Sequence, residues 1–224
     1  MLLPLKDENP TYSFPIVTIF IIAVNILIYI YQVSLGYGYA GEKFIYQLGA
    51  IPYEIMHFHD IKIPNLVPPP FTLVTAMFLH GSWAHLIGNM WYLWIFGNNI
   101  EDALGKLRFV IFYLLCGIVA GLSHIISVPD SSVPMIGASG AISGVLGAYF
   151  IVYPRARVLI LMFLFIFIRF LYVPAVLVLG FWFVIQILSA GSFGEGVAWY
   201  AHIGGFVAGA VLIRLFVRRR AQWN

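Results

Sequence analysis

The chain has 224 residues, of which 62% are hydrophobic and 9% are charged, and its formal net charge is +3. A soluble domain carries about 25% charged residues. The chain has too few charged residues to form the polar surface that a soluble protein needs. The composition therefore excludes a soluble protein and indicates that lipid surrounds most of the fold. The basic excess is too small to indicate a nucleic-acid partner. The single cysteine, Cys116, excludes a disulfide framework.

Apolar stretches follow one another along the chain, and several approach the roughly 20 residues that a helix needs to cross about 30 Å of hydrocarbon. They lie at 15–35, 79–99, 107–127, 138–153, 171–190 and 198–217. The segment 158–170 is also apolar but contains Arg169, so we expect an interfacial or tilted segment there, with Pro174 just inside the fifth span. The sequence predicts an all-α membrane protein, a bundle of six transmembrane helices.

The positions of lysine and arginine predict the orientation of this bundle. With both termini in the cytoplasm, ten of these residues lie on the cytoplasmic side and two on the outer side. The predicted organisation is a cytoplasmic tail at 1–14, a six-span core at 15–217 and a basic cytoplasmic tail at 218–224. Within the core, the prolines and mixed charges of about 36–72 predict an irregular external loop with short interfacial helices.

Few amide or ionisable side chains lie within the predicted spans, and each is a functional candidate because lipid does not solvate it. Counting along the helices from the cytoplasmic charges puts Ser139 and His202 about 22 and 24 Å from the inner interface, at 1.5 Å per residue. The same count brings His85 to this level and Asn89 one turn deeper. Three helices are therefore expected to bring a serine, two histidines and an amide into one layer.

Other polar residues of the spans are interpreted as structural. His80 lies near the mouth of the second span, where we expect it to hold the external loop in place. His124, Gln186 and Asn25 are likewise interpreted as structural.

The residue types in the layer fit acyl transfer. A serine hydroxyl becomes an effective nucleophile when a histidine removes its proton. Attack on an amide creates an oxyanion, which Asn89, His85 and the backbone N–H of Ser139 can stabilise by hydrogen bonds. Because the predicted spans contain no carboxylate, the pattern predicts a serine–histidine dyad in which packing and hydrogen bonds orient His202.

Small residues repeat every three or four positions in the fourth and sixth spans, and such faces let two helix backbones approach closely in membranes. If these faces pack together, Ser139 meets His202 at their outer ends. The small residues are Gly140, Gly144 and Gly147 in the fourth span and Ala201, Gly205 and Gly209 in the sixth.

Three motifs resemble those of rhomboid proteases: GASG around Ser139, AHIGG around His202, and HLIGN from His85 to Asn89. The resemblance covers nearly the whole chain, with the motifs in the same order and on the expected spans. It implies that Ser139 is the nucleophile, that His202 is the base, and that His85 and Asn89 form the oxyanion site. It also implies cleavage of transmembrane segments of membrane proteins near their outer ends, at small residues, without a metal or cofactor.

The resemblance further implies that substrate enters laterally near spans two and five, beneath a loop at 190–198. Two positions depart from the family pattern. Phe71-Thr72 stands where many relatives have Trp-Arg, and Ser143 stands where relatives often have an aromatic residue that packs on the histidine. We therefore expect another group, such as an aromatic residue elsewhere, to steady His202.

An alternative is a non-catalytic protein of the same fold that binds transmembrane helices. Inactive relatives usually lack the serine or the histidine, whereas this chain has both Ser139 and His202. A transporter is disfavoured because the polar layer lies toward one face rather than at mid-membrane. The expected partners are transmembrane-helix substrates and the lipid bilayer, and the short tails favour a bacterial inner membrane.

Overall fold

The computed structural model describes residues 2–164, 167–190 and 197–217. Within these ranges the chain forms nine α-helices and three β-strands. The helices are α1 (Ile16–Ser34), α2 (Tyr39–Leu48), α3 (Pro52–His57), α4 (Thr72–Thr75), α5 (Trp83–Leu104), α6 (Lys106–Ser127), α7 (Ser139–Val152), α8 (Ala175–Ser189) and α9 (Trp199–Phe216). The strands are β1 (Leu2–Asp7), β2 (Arg157–Leu164) and β3 (Phe167–Pro174), and 3-10 turns at Pro69–Phe71 and Ala76–Phe78 flank α4.

One of the helices α1, α5, α6, α7, α8 and α9 occupies most of each apolar stretch, so the mostly helical architecture is confirmed. Helices α1, α6 and α9 are long and apolar enough to cross a membrane, and α7 and α8 are shorter apolar helices. Large apolar side chains such as Phe20, Leu27 and Leu215 are more than 60% exposed on the outside of the bundle, as expected where the surrounding solvent is lipid. Helix α5 begins later than predicted because the Ser82 hydroxyl caps it, accepting from the backbone N–H of His85 at 3.1 Å.

The prediction of an all-α fold is wrong at one end of the bundle. Strands β1, β2 and β3 form an antiparallel sheet in that order, and β2 pairs with β3 from Arg157 and Pro174 to Leu164 and Phe167. The expected interfacial or tilted segment at 158–170 is therefore part of a β-hairpin, and Pro174 ends β3 instead of lying inside the fifth span. These runs are short and rich in β-branched and aromatic residues, which favours strands, but a short apolar run has no periodicity that separates a strand from a buried helix.

The segment predicted to be an N-terminal tail is bound to the helices. Strand β1 pairs with β2, and the Tyr149 hydroxyl on α7 donates to Oδ2 of Asp7 at 2.6 Å. After β1, Glu101 at the end of α5 accepts from the backbone N–H groups of Val17 and Thr18 at 3.0 and 2.8 Å. Glu101 is 1% exposed. A buried carboxylate therefore accepts from N–H groups at the start of α1 that have no partner within the helix. The second predicted tail, 218–224, lies outside the described residues.

Short helices, α2 and α3, lie within the segment predicted to be an external loop. Glu54, on α3, is 1% exposed and accepts from the backbone N–H of Ile61 at 3.0 Å and from Nδ2 of Asn65 at 2.7 Å. The same Nδ2 group donates to Asp60 at 2.8 Å. At the position where the resemblance leads one to expect an arginine, Thr72 is buried and its hydroxyl donates to the Pro69 carbonyl at 2.5 Å. Hydrogen bonds to the Glu54 and Asp60 carboxylates and to the Pro69 carbonyl therefore hold parts of this segment together.

The predicted packing of small-residue faces is present between α7 and α9. A Cβ atom at Gly209 would overlap the carbonyl oxygen of Gly144, and a Cβ atom at Gly205 would overlap that of Gly140. From the other side, a Cβ atom at Gly147 would overlap the carbonyl oxygen of Phe206. The two backbones are therefore in direct contact, which fixes the position of α9 relative to the first turn of α7.

Candidate active site

Ser139 is the first residue of α7, and the turn before it depends on glycine. Gly137 has a φ of 123°, which residues with a side chain rarely adopt. Its N–H donates to the Ala76 carbonyl at 2.9 Å, and a Cβ atom at this position would lie 2.8 Å from the His85 ring. The turn therefore brings the N-terminus of α7, with its unpaired N–H groups, beside His85.

The structure brings Ser139 and His202 together. The Ser139 Oγ atom lies 2.8 Å from Nε2 of His202, a hydrogen-bond distance. His202 is in the first turn of α9, so contact between the helices joins two residues that are 63 positions apart. This distance lets the imidazole accept the serine proton without further movement.

Sequence reasoning missed the partner of the second imidazole nitrogen. Gln186 on α8, interpreted above as structural, places Oε1 2.8 Å from Nδ1 of His202. Its Nε2 group donates to the Trp182 carbonyl at 3.0 Å, and the residue is 4% exposed. The available signal was an amide within an apolar span, but the spacing of residues in α8 did not show which helix the amide faces.

Aromatic rings lie close to His202, as we expected because position 143, a serine, offers no aromatic side chain to pack on the histidine. The Trp182 ring centroid lies 6.0 Å from that of His202 with the planes 35° apart, and the Trp199 ring lies 6.1 Å away at 87°. Ser143 itself is buried, and its hydroxyl donates to the Ser139 carbonyl at 2.6 Å. Two tryptophans and Gln186 therefore surround the ring.

Asn89 is held by a second hydrogen-bond chain. Its Nδ2 group lies 3.0 Å from Nε2 of His80, and His80 is fully buried. The Gln32 amide on α1 makes two hydrogen bonds to the His80 backbone. It donates to the carbonyl at 2.6 Å and accepts from the N–H at 3.3 Å. The ring of His80 thus contacts Asn89, a role that the sequence interpretation did not include, and its backbone joins α1 to the segment before α5.

All four predicted site residues line one cavity of about 1180 Å³: Ser139, His202, His85 and Asn89. His124, interpreted as structural, also lines it. A space of this size accommodates an extended peptide segment and water. Of the loop predicted to cover the site, residues 191–196 lie outside the described ranges, and the adjoining Val197 and Ala198 line the cavity.

The helical bundle has a cavity at which a serine and a histidine meet, and comparison with known proteins gives the family of the chain. A model of the Rhomboid domain matches residues 69–219, well over half of the chain. The chain belongs to the rhomboid family and is a multi-pass integral membrane protein.

Individual relatives match over shorter segments. The putative rhomboid protease YdcA of Bacillus subtilis is 36% identical over 77 residues, which cover 34% of this chain and 38% of YdcA. The rhomboid protease GluP of the same organism is 35% identical over 140 residues, which cover 62% of this chain and 25% of GluP. The chloroplastic Rhomboid-like protein 11 of Arabidopsis thaliana is 32% identical over 92 residues, 41% of this chain and 32% of that protein. The matched segments thus span well under half of these relatives.

Proposed function

We propose that the protein is an intramembrane serine endopeptidase that cleaves transmembrane segments of membrane-protein substrates near their outer ends. Ser139 is the nucleophile and His202 is the general base. The observation that carries this proposal is the 2.8 Å distance between Ser139 Oγ and His202 Nε2 within the large cavity. Membership of a family that includes named proteases supports the same reaction.

The acylation step follows from this geometry. Ser139 Oγ attacks the scissile carbonyl carbon while its proton passes to His202 Nε2, and the carbonyl oxygen becomes an oxyanion. Asn89 has two Nδ2 hydrogens, and only one is needed for its bond to His80. The second hydrogen, His85 and the Ser139 backbone N–H stabilise the oxyanion.

Collapse of the tetrahedral intermediate breaks the C–N bond, and the His202 imidazolium gives its proton to the leaving amine. The product is an acyl-enzyme on Ser139. Water then gives a proton to His202 and attacks the ester carbonyl, and collapse of the second intermediate returns that proton to Ser139. Because water is scarce in hydrocarbon, this second half requires a polar cavity open to the outer side.

We also propose that the chain crosses the membrane six times with both termini in the cytoplasm. The cytoplasmic excess of lysine and arginine supports this orientation, and one helix in each apolar stretch supports the number of crossings. A bacterial inner membrane is the proposed location, supported by the similarity to YdcA and GluP. The chloroplastic relative shows that similar proteins also occur in organelles.

Cleavage of a model single-span protein with small residues near its outer end tests the activity. The purified wild type, Ser139→Ala and His202→Ala are compared in liposomes. Each variant is first shown to unfold at the same temperature as the wild type. The proposal expects cutting by the wild type alone. Equal cutting by all three variants would overturn the dyad, and binding of several such proteins without cutting would favour the alternative function, a helix-binding protein.

A further inference from the structure

A chain of hydrogen bonds runs from the proposed nucleophile through His202 to the backbone of α8. Ser139 Oγ contacts His202 Nε2 at 2.8 Å, and His202 Nδ1 contacts Gln186 Oε1 at the same distance. Gln186 Nε2 in turn contacts the Trp182 carbonyl at 3.0 Å. Three helices, α7, α9 and α8, therefore contribute to one line of polar groups.

The chemistry of these groups fixes the direction of each bond. The Trp182 carbonyl can only accept, so the amide nitrogen of Gln186 must face it, and the amide oxygen must face His202. Because this oxygen also only accepts, Nδ1 of His202 must carry the hydrogen. The ring then keeps an unprotonated Nε2 atom toward Ser139, which is the form that can take the serine proton. Reversing the amide would place two acceptors against each other.

We propose that Gln186 is the positioning residue of the site: it holds His202 in the Nδ1–H form and aims Nε2 at Ser139. The inference rests on the proposed protease function and adds a third member to the expected dyad. In the acylation step, the Ser139 proton moves to Nε2 while the bond from Oγ to the carbonyl carbon forms. The resulting imidazolium keeps its Nδ1–H bond to the amide oxygen, so a neutral acceptor stands where other serine hydrolases use a carboxylate.

A buried asparagine separates this role from simple helix packing. Asn25 on α1 is fully buried, and its Nδ2 group donates to the Ile21 carbonyl four residues back at 2.8 Å. Gln186 makes the same kind of bond to the carbonyl four residues back. Within the described part of the chain, the Asn25 oxygen has no hydrogen-bond partner, whereas the Gln186 oxygen binds His202. Asn25→Leu is therefore a matched control for loss of a buried amide.

The first test compares steady-state cleavage by Gln186→Met and Gln186→Glu. Methionine keeps the length of the side chain and removes the hydrogen-bond acceptor. We therefore expect kcat to fall by roughly 10- to 100-fold, the factor that corresponds to one lost hydrogen bond to a charged group. KM should change little. A protonated glutamate reproduces both bonds of the amide, since its O–H donates to Trp182 and its carbonyl oxygen accepts from His202. Gln186→Glu should therefore recover most of the kcat that Gln186→Met loses, whereas Asn25→Leu, which lies outside the site, should stay within about threefold of the wild type.

A second readout does not need a substrate. In ¹⁵N-histidine-labelled protein, the His202 signals are assigned by their loss in His202→Ala, and they should report the Nδ1–H form in the wild type. Gln186→Met, and Gln186→Leu as a second variant, should show a mixture of both neutral forms, while Asn25→Leu should not. A wild-type Nε2–H form, or an unchanged form in both apolar variants, would overturn the positioning role.

The two readouts separate failure of this inference from failure of the proposed function. If the wild type cuts no substrate but the imidazole form depends on Gln186, the positioning role stands and the protease function fails. If the wild type cuts and the apolar variants retain its kcat and its imidazole form, the protease function stands and the role of Gln186 is overturned.

Discussion

The carbonyl oxygen of Gly144 on α7 lies where a side chain at position 209 of α9 would begin, so Gly209 is in direct backbone contact with Gly144. This contact lies along the same pair of helices whose first turns bear Ser139 and His202. The 2.8 Å distance between their side chains therefore depends on how closely the two backbones approach. Close packing of glycines and the geometry of the proposed active site are parts of one arrangement.

Gly209→Ala should separate α7 from α9, because its methyl group would overlap the Gly144 carbonyl. We expect a loss of about 1–3 kcal/mol in the free energy of unfolding, the range for overpacking, together with a loss of cleavage. Gly180→Ala on α8 is the control, since a methyl group there would make only an ordinary contact of 3.6 Å with Phe150. Thermal unfolding in detergent and a cleavage assay report the two effects. Equal stability of the two variants would contradict the account of the helix contact.

Asn89→Leu should lower kcat by roughly 10²- to 10³-fold, the effect of losing one oxyanion donor. Leucine has a similar size and fills the same space in α5, but the buried His80 Nε2 atom loses its donor, so a loss of stability accompanies the loss of kcat, while KM should change little. Steady-state kinetics with the model substrate separate the two constants. A rise in KM with an unchanged kcat would show that Asn89 binds substrate in the ground state and does not stabilise the oxyanion.

Glu101→Gln should destabilise the start of α1. The carboxylate accepts from the N–H groups of Val17 and Thr18 and from the Thr18 hydroxyl, and an amide nitrogen at this place would face donors. We expect a loss of about 1–3 kcal/mol, the effect of leaving buried donors unpaired.

The neighbouring carboxylate provides the control for this change. Asp102 also accepts hydrogen bonds, but it is only partly buried and its donors, Tyr12 and Ser13, are exposed, so Asp102→Asn should change stability by about 0.5 kcal/mol or less. Chemical unfolding followed by tryptophan fluorescence compares the two. Similar losses in both variants would argue against the buried cap.

Asp7 should make stability depend on pH. Burial raises the pKa of this carboxyl above its ordinary value of 3.8, outweighing the hydrogen bond from Tyr149, which lowers it. Because the folded state holds the proton more tightly than the unfolded state, stability should fall as pH rises from below 4 through the raised pKa. Asp7→Asn keeps an acceptor for Tyr149 and removes the charge, so its unfolding temperature should vary less with pH. A wild-type protein that gains stability over this range relative to Asp7→Asn would contradict the sign.

Sequence reasoning predicted that Ser139, His202, His85 and Asn89 lie close together, from helix length and the positions of basic residues, and all four line one cavity. It also identified the α7–α9 contact because small residues at spacings of three and four define a helix face. It did not find the partners of the imidazole and the amide. The Gln186 contact depends on the rotation of α8 about its axis, and the His80 contact depends on the path of the segment before α5. The depth of a residue in the membrane reports neither.

The β-hairpin at 157–174 was missed for a different reason. Its apolar runs are each about as long as a single strand, and they lack the polar alternation that marks a half-buried strand. The N-terminal strand that completes the sheet pairs with residues about 150 positions away, such as Leu3 with Leu161. No local pattern in the sequence reports a pairing over that distance.

The central claim is that His202 activates Ser139 as a nucleophile, and labelling with a fluorophosphonate tests it most directly. The probe is added to purified wild type, Ser139→Ala and His202→Ala, and the modified residue is located by peptide mass spectrometry. The account predicts a covalent adduct on Ser139 in the wild type, no adduct in Ser139→Ala, and labelling slowed by at least about 10²-fold in His202→Ala. Equal labelling rates with and without His202, or an adduct at another residue of the folded wild type, would contradict the account.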